Sequence, residues 1–420
     1  MADLEKHREG ASALGLEGVE RLLEALGRPQ EGLPLVHLAG SKGKGTTALF
    51  LEALFSADGL RTGVFLSPHL SGLEERFRLG GRPLEAGEAA LLLERAARAL
   101  PASPEATFFD LLTAAALLLF RKEGVQAACL ETGLGGRLDS TNVVNPRVTL
   151  VTTVEREHED VLGRGLARVA REKAGILKAG VPLVTGCRGR ALEVLSRRAR
   201  DLAVPLLVLG EDFSLTPLER GEGGWTVELR LRGGAPRRFS LGRLSRPQLR
   251  SLALAAQAFA LFRGRDPGVE ILEAAGRAEL PGRFEVFSRE GEATWVLDGA
   301  HTERSLLRLA KDLVEWFPGR PVHLLFGVAS DKRWCRAFRL LSFLAARTWV
   351  VDLPGGRCVP AAELARAAPG ARPFPEIRDA LEVLAGRTGE GEVVLVTGSF
   401  RLVGPVRKWL AERMERRGDG

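Results

Sequence analysis

The chain has 420 residues, of which 45% are apolar, and a formal net charge of +7. This length predicts two or three domains with sizeable hydrophobic cores, and the composition is that of an ordinary globular protein. Basic residues are interspersed with acidic ones rather than gathered in one stripe, which argues against a nucleic-acid partner and suits small anionic substrates.

The N-terminal segment MADLEKHREGAS lacks the apolar core of a signal peptide. The longest apolar stretch, Leu111 to Phe120, is too short and too rich in alanine to span a bilayer. The four cysteines are far apart in sequence, which argues against a disulfide framework and against a zinc site. We therefore expect a cytoplasmic protein that does not bind membranes.

A glycine-rich run, HLAGSKGKGTT, lies between an apolar strand over Leu33 to Ala39 and a helical pattern over Thr46 to Asp58. Glycine permits a turn that points backbone N–H groups at an anion, and the helix start adds the positive end of its dipole. Lys44 can then reach the outer phosphates of a nucleotide. Because Gly45 separates Lys44 from Thr46, the spacing departs from the usual P-loop, and a plain strand-to-helix turn stays open as the alternative.

Apolar strands alternate with helical patterns through the first half of the chain, which predicts a parallel α/β sheet. Between Phe213 and Leu241, paired glycines separate alternating segments and predict a small antiparallel hairpin set, followed by a helix from Arg246 to Phe262. A second series of strands and helices begins at Thr294. The Pro-Gly sequence at Pro281-Gly282 places a domain boundary between residues 282 and 283.

Three polar residues follow strands of the first domain. They are Ser67 in LSPHL, Glu131 in ETGLGGRLD and His158 in EREHED. Ligands of open parallel sheets bind outside the carboxyl ends of the strands, where these side chains could hold magnesium beside a nucleotide. The alternatives are a turn at Ser67, a backbone cap at Glu131 and an acidic loop at His158; imidazole is also an unusual magnesium ligand.

The order of ten motifs resembles that of folylpolyglutamate synthases of the Mur ligase family. These motifs are GSKGKGTT, LSPHL, TFFDLLTAAA, ETGLGGRLDSTN, EHEDVLG, REKAGILKAGVP, LPGRFE, DGAH, FGVASDK and VTGSFRLVG. The resemblance implies an ATP-dependent amide ligase that joins L-glutamate to a folate through an acyl phosphate, and many bacterial members also act on dihydropteroate. It also implies small-molecule partners only, and a monomer.

The same resemblance implies an α/β fold of two domains. Residues 1–282 would form a P-loop-containing, mostly parallel sheet domain like the central domain of Mur ligases. Residues 283–420 would form a smaller, Rossmann-like α/β domain that acts in glutamate ligation.

Site residues follow from the resemblance by position. The phosphates of ATP would contact the loop residues Gly40, Ser41, Lys42, Gly43, Lys44, Gly45, Thr46 and Thr47. Further nucleotide contacts would come from Gln248, Ser251, Arg283, Asp298 and His301.

Two magnesium ions are implied, one near Thr46 and one held by Ser67, Glu131 and His158. Lys173 matches a lysine that is carbamylated in the family and supports the metal site; a helical surface lysine is the alternative. With Lys44, Glu131 and His158, it completes the expected catalytic set.

The folate would lie near Asp139 and Ser140, and near Phe109 and Asp110 with its neighbour Phe108. Core packing is the alternative for the two phenylalanines.

Several departures from the family pattern cluster around the nucleotide. Pro247 and Ser251 stand in a motif that usually reads HQxxN, and Thr302 follows DGAH where asparagine is usual. Ser41-Lys42 replaces Thr-Asn, Glu157 replaces Asp before the histidine, and Glu74 replaces Asn. Ser251 cannot reproduce a two-point amide contact, so the adenine contacts differ from the family pattern.

Two other functions remain open from the sequence. A muramyl peptide ligase shares the phosphate loop and the amide-forming chemistry, but it usually carries another domain ahead of the loop, whereas 39 residues precede Gly40 here. A nucleotide-binding regulator that has lost catalysis would explain the substitutions at Pro247, Ser251 and Thr302.

Overall fold

The computed structural model describes residues 15–332, 334–356 and 358–416. The segment MADLEKHREGAS therefore lies outside the described residues. The chain divides into two compact units, Met1–Ala278 and Glu279–Gly420. Within the described ranges, no helix combines the length and the apolarity that a membrane crossing requires.

The first unit is built on an eight-stranded sheet with the order β4-β3-β2-β5-β1-β6-β7-β8. Strands β2, β5, β1, β6, β7 and β8 run parallel to one another, and β3 and β4 add an antiparallel edge beside β2. The strands are β1 Leu35–Ala39, β2 Thr62–Phe65, β3 Phe77–Leu79, β4 Arg82–Pro83, β5 Ala127–Glu131, β6 Val148–Val151, β7 Leu183–Thr185 and β8 Leu206–Val208.

Helices cover this sheet and connect its strands. They are α1 Glu17–Ala25, α2 Lys44–Ala57, α3 Ala86–Ala97, α4 Phe108–Lys122, α5 Glu159–Leu162, α6 Leu166–Ala174 and α7 Gly189–Asp201. Every residue of β1, β5 and β6 is buried, as expected for parallel strands that are covered on both faces. The apolar stretch that begins at Leu111 lies inside α4 and packs in this core.

A three-stranded antiparallel sheet follows in the order β11-β10-β9, which confirms the predicted hairpin set. Its strands are β9 Ser214–Arg220, β10 Trp225–Arg230 and β11 Arg237–Leu241. Helices α8 Arg246–Arg263 and α9 Val269–Gly276 complete the unit. Helix α8 begins at the predicted residue because Ser245 and Gln248 form a capping box there.

The second unit has a six-stranded sheet with the order β12-β13-β17-β14-β15-β16, parallel except for β12. Its strands are β12 Glu285–Phe287, β13 Thr294–Asp298, β14 Val322–Phe326, β15 Arg347–Val351, β16 Arg372–Phe374 and β17 Val393–Thr397. Its helices are α10 Glu303–Trp316, α11 Cys335–Leu344, α12 Ala361–Ala367, α13 Ile377–Ala385 and α14 Phe400–Arg416. The two units confirm the predicted α/β fold class with mostly parallel sheets.

One buried polar side chain interrupts the apolar strand β1. His37 is 0% exposed, and burial together with the charge of Lys178 lowers its pKa from 6.5 to about 3. The unfolded chain therefore binds a proton at this residue between these two pH values and the folded chain does not. The stability that this difference supplies is complete above pH 6.5 and is lost as the pH falls toward 3.

We expect His37 to contribute a loss of up to about 1.4 kcal/mol in unfolding free energy per pH unit on acidification. Urea unfolding at pH 7, 6 and 5 measures this slope. The variant His37→Gln lacks the titrating ring and should show a shallower slope than the wild type. Equal slopes in the two proteins would contradict the assignment.

Candidate active site

The glycine-rich run forms a loop that ends at the first turn of α2. Gly43 has a φ of 87° at the N-cap position, and a glycine there has no side chain with which to cap the helix. The N–H groups of the first turn, at Lys44, Gly45 and Thr46, have no acceptor within the helix. An uncapped helix start of this kind fits a phosphate group, because N–H groups and the helix dipole both favour an anion.

The residues that follow β6 form the wall of this loop. Ser41 donates its backbone N–H to the carbonyl of Thr153 at 2.8 Å, and Thr152 Oγ1 donates to the carbonyl of Lys42 at 2.7 Å. These contacts explain why β6 ends at Val151. The backbone turns there to support the phosphate loop.

Gly40 has no room for a side chain, since a Cβ atom there would lie 1.9 Å from Thr152 Oγ1. We expect Gly40→Ala to destabilise the protein by about 1–3 kcal/mol in urea unfolding and to weaken nucleotide binding. Gly59→Ala is the matched control, because Gly59 also has a positive φ, of 78°, but a Cβ there would meet no atom within 4 Å. If both variants lose the same stability, the contact with Thr152 has no effect of its own.

Lys44 and Glu131 lie together beside the loop. Lys44 Nζ donates to the carbonyl of Gly40 at 2.9 Å and lies 3.8 Å from Glu131 Oε1. The other oxygen of Glu131 accepts the backbone N–H of Ser67 at 3.0 Å. The ends of β1, β2 and β5 thus bring a cation, a carboxylate and a hydroxyl-bearing residue to one edge of the sheet, as the sequence predicted.

This donor set fits magnesium in its chemistry. Magnesium prefers oxygen ligands, and Thr46, Ser67 and Glu131 supply two hydroxyls and a carboxylate, with Glu131 only 3% exposed. Over the ranges that the structure describes, no three His, Cys, Asp or Glu side chains form a metal-binding group. His158 has an exposed side chain at the start of α5, one residue after Glu157. Its role as a ligand stays a prediction.

Lys173 is buried, unlike a surface lysine. Its side chain is 3% exposed, and its Nζ donates to Glu157 Oε1 at 3.1 Å. Burial lowers the pKa of Lys173, and the nearby charge of Lys44 adds to this effect, while Glu157 opposes both. Burial also disfavours the ionised form of Glu157, but the charge of Lys173, a hydrogen bond with Ser41 and the charge of Lys44 together lower its pKa. A buried lysine thus joins the group around the phosphate loop.

The residues expected near the folate form a buried polar cluster. Ser140 Oγ donates to Asp110 Oδ1 at 2.5 Å, and Asp139 accepts the backbone N–H groups of Leu134 and Thr141. Burial raises the pKa of Asp139, and these hydrogen bonds act against the rise. Phe109 packs on Phe65 with ring centroids 5.7 Å apart. Their contact with a folate stays a prediction.

Residues 282–400 match the model of the Mur ligase glutamate ligase domain. A probable bifunctional folylpolyglutamate synthase/dihydropteroate synthase of Haloferax volcanii is 37% identical over 332 residues, which are 76% of this chain but only 38% of that protein. The dihydrofolate synthase/folylpolyglutamate synthase of Bacillus subtilis is 28% identical over 94% of this chain and 95% of its own length. The structure of E. coli FolC in complex with DHPP and ADP is 26% identical, covers 98% of this chain and 97% of that one, and has a TM-score of 0.86.

The chain is thus similar to folylpolyglutamate synthases over nearly its whole length, and its residues 282–400 match a Mur ligase domain. Its departures from the family motifs therefore need a structural reason. Pro247 lies in the first turn of α8, where a missing N–H is tolerated. Thr302 is the N-cap of α10, and its hydroxyl accepts the N–H of Ser305. These two residues support the helix starts at which they stand.

Two other positions of the family's nucleotide motif also lie at α8. The Oε1 atom of Gln248 accepts the N–H of Ser245 at 2.6 Å. The hydroxyl of Ser251 lies 3.3 Å from the place where a Cβ atom of Gly43 would stand. Ser251 therefore borders the phosphate loop, and the nucleotide contacts of Gln248 and Ser251 stay predictions.

Three of the residues that the resemblance assigns to the nucleotide lie in the second unit, within a short stretch of sequence. Arg283 donates to the carbonyl of Pro281 at 2.8 Å and lies over the ring of Phe400. Asp298 accepts the backbone N–H of Phe284 at 2.8 Å, and His301 Nδ1 lies 2.8 Å from the carbonyl of Gly299. Their contact with the nucleotide stays a prediction.

The support that Thr152 and Thr153 give to the loop, and the pairing of Lys173 with Glu157, were not predicted from the sequence. The two threonines follow an apolar strand and are β-branched, as residues of a strand often are. No local pattern distinguishes a threonine in a strand from one that hydrogen-bonds to a neighbouring loop. The pairing of Glu157 with Lys173 spans 16 residues and two helices, so helical periodicity could not reveal it.

Proposed function

We propose that this protein is an ATP-dependent amide ligase that adds L-glutamate to a reduced folate, and that it also converts dihydropteroate to dihydrofolate. Lys44 carries the proposal, because it lies at an uncapped helix start within 3.8 Å of a buried carboxylate. The similarity to enzymes named for both activities supports the choice of substrates. We further propose that the protein acts as a monomer in the cytoplasm.

The two units have separate roles in this proposal. Residues 1–282 bind ATP and the folate, and residues 283–420 act in glutamate ligation, with Arg283, Asp298 and His301 contacting the nucleotide. The reaction forms an acyl phosphate at the folate carboxylate, and the amine of glutamate then displaces phosphate, so that ADP and phosphate leave.

The residues of the first unit supply binding and charge. The first turn of α2 and the loop from Gly40 to Thr47 hold the phosphates, and Lys44 neutralises charge on the group in transfer. Thr46, Ser67, Glu131 and His158 would hold two magnesium ions, which would neutralise negative charge on the phosphates. Glu131 keeps Lys44 oriented through their close contact.

Lys173 has a supporting role here. Its buried, deprotonation-prone amine can add carbon dioxide, and the resulting carbamate is an anion that can support a metal. Carbamylation would thus replace the buried cation beside Glu157 with an anion whose oxygens can bind a metal.

The test is a reaction of purified protein with magnesium-ATP, a reduced folate and L-glutamate, followed by measurement of ADP and of lengthened folate by mass spectrometry. We expect both products, and none when either co-substrate is omitted. Dihydropteroate in place of the folate tests the second activity. Turnover with a UDP-muramyl peptide alone would identify a muramyl ligase, and nucleotide binding without turnover would identify a regulator.

A further inference from the structure

His37 has an unusual position for a polar side chain. It is the middle residue of β1, and it pairs with Leu130 of β5 and Thr149 of β6, so a strand covers it on each side. It stands three residues before Gly40 and is 0% exposed. An apolar residue would pack here without the desolvation penalty of an imidazole, so a hydrogen bond has to offset that penalty.

The hydrogen bond of His37 leads to the loop after β5. His37 Nε2 lies 2.9 Å from Thr141 Oγ1, and the Thr141 hydroxyl donates to Asp139 Oδ1 at 2.5 Å. A hydroxyl has one proton, so Thr141 Oγ1 accepts from His37 and the ring carries its proton on Nε2. His37 Nδ1 is buried, and over the described part of the chain it has no hydrogen-bond partner.

The chain of hydrogen bonds ends on the backbone of the same loop. Asp139 Oδ2 accepts the N–H of Leu134 at 2.7 Å, and Asp139 Oδ1 also accepts the N–H of Thr141 at 3.1 Å. We name this set the His37 relay: His37, Thr141, Asp139 and Leu134. It connects the strand that enters the phosphate loop with the loop that carries Asp139 and Ser140.

We propose that His37 is a positioning residue that orients Thr141, and through it Asp139, for the folate substrate. The inference rests on the proposed function, in which Asp139 and Ser140 contact the folate. Without the donor on His37, the Thr141 hydroxyl can turn, and the Asp139 carboxylate loses one of the three groups that hold it. The phosphate loop keeps its own support from Thr152 and Thr153, so the effect falls on the folate.

The central test replaces Thr141 by valine, which keeps the shape and removes the hydroxyl. We expect KM for the folate to rise about tenfold, with KM for ATP and the affinity for ADP within twofold of wild type. Thr141→Ser restores the hydroxyl and should recover most of the folate KM. Equal changes in the two KM values, or no recovery with serine, would overturn the proposal.

Thr149→Val is the matched control. Thr149 is also 0% exposed, lies next to His37 in the sheet and donates to the carbonyl of Pro182 at 3.0 Å, outside the relay. This variant should lose stability as Thr141→Val does but keep the folate KM. A double variant, His37→Gln with Thr141→Val, should raise the folate KM no further than Thr141→Val alone, because both act at one link; multiplied effects would overturn the relay.

The relay also has a readout that does not depend on turnover. Nitrogen NMR of a chain with ¹⁵N-labelled histidine, assigned with the His37→Gln variant, should show His37 as the neutral Nε2–H form at pH 6. The Nδ1–H form would overturn the relay. If wild-type protein shows this form but does not lengthen folate, then the proposed function fails and the relay stands.

Discussion

Replacing Lys44 by methionine is expected to lower kcat/KM for folate glutamylation about a thousandfold, or about 4 kcal/mol of transition-state stabilisation. Methionine keeps most of the length of the side chain and removes the charge. The charge is needed at the phosphoryl group in transfer, where it acts together with the uncapped start of α2. Initial rates at saturating glutamate, with varied ATP and folate, measure the effect.

Lys42→Met provides the comparison within the same loop. The backbone of Lys42 is held by Thr152 and Thr153, and we expect its side-chain charge to act on the nucleotide from farther away than Lys44 does. We expect about a tenfold rise in KM for ATP that shrinks at high salt, with kcat nearly unchanged. If the two lysine variants lose activity equally, the position of Lys44 beside Glu131 has no special importance.

Local patterns predicted the elements that position the site. The apolar run before Gly40 and the helical pattern after it gave the strand, loop and helix in the observed order, because burial and periodicity are local properties. The same argument placed Ser67 and Glu131 at one edge of the sheet, and the contact between Ser67 N and Glu131 Oε2 confirms that they lie together.

Local patterns could not predict contacts between residues that are far apart in the sequence. His37 and Thr141 are 104 residues apart, and the apolar strand around His37 predicts burial without indicating a partner. Likewise, the sequence around Lys173 is a helix with charged residues, so only the packing of α6 shows that this lysine faces inward. Burial of a charged group depends on which face of the helix meets the sheet.

The substitutions in the family motifs also could not be interpreted from the sequence alone. A motif comparison registers Pro247 and Thr302 as lost nucleotide contacts. The structure shows each of them at the start of a helix, where proline at N2 and threonine at the N-cap are favourable. A regulator without catalysis is therefore not needed to explain these two residues.

We also predict that Lys173 is carbamylated and that loss of the carbamate has a large effect on activity. Lys173→Met is expected to lower kcat/KM by about a hundredfold or more, because an anion that supports the metal is lost. Wild-type protein in ¹³C-bicarbonate should give a carbamate carbon signal that the variant lacks. Lys178→Met is the matched control, since Lys178 also has a pKa lowered by burial but donates to the carbonyl of Asn142. This variant should keep the signal.

The pH and metal dependence of the signal follow from the surroundings of Lys173. Only the neutral amine adds carbon dioxide, so the signal should decrease as the pH falls through the lowered pKa of Lys173. A carbamate would replace a cation that now lies 3.1 Å from Glu157 Oε1, and two anions at this distance repel unless a cation lies near them. Magnesium should therefore increase the signal, and Glu157→Gln should reduce its dependence on magnesium. An ordered, unmodified amine in crystals grown with bicarbonate and magnesium would reject carbamylation.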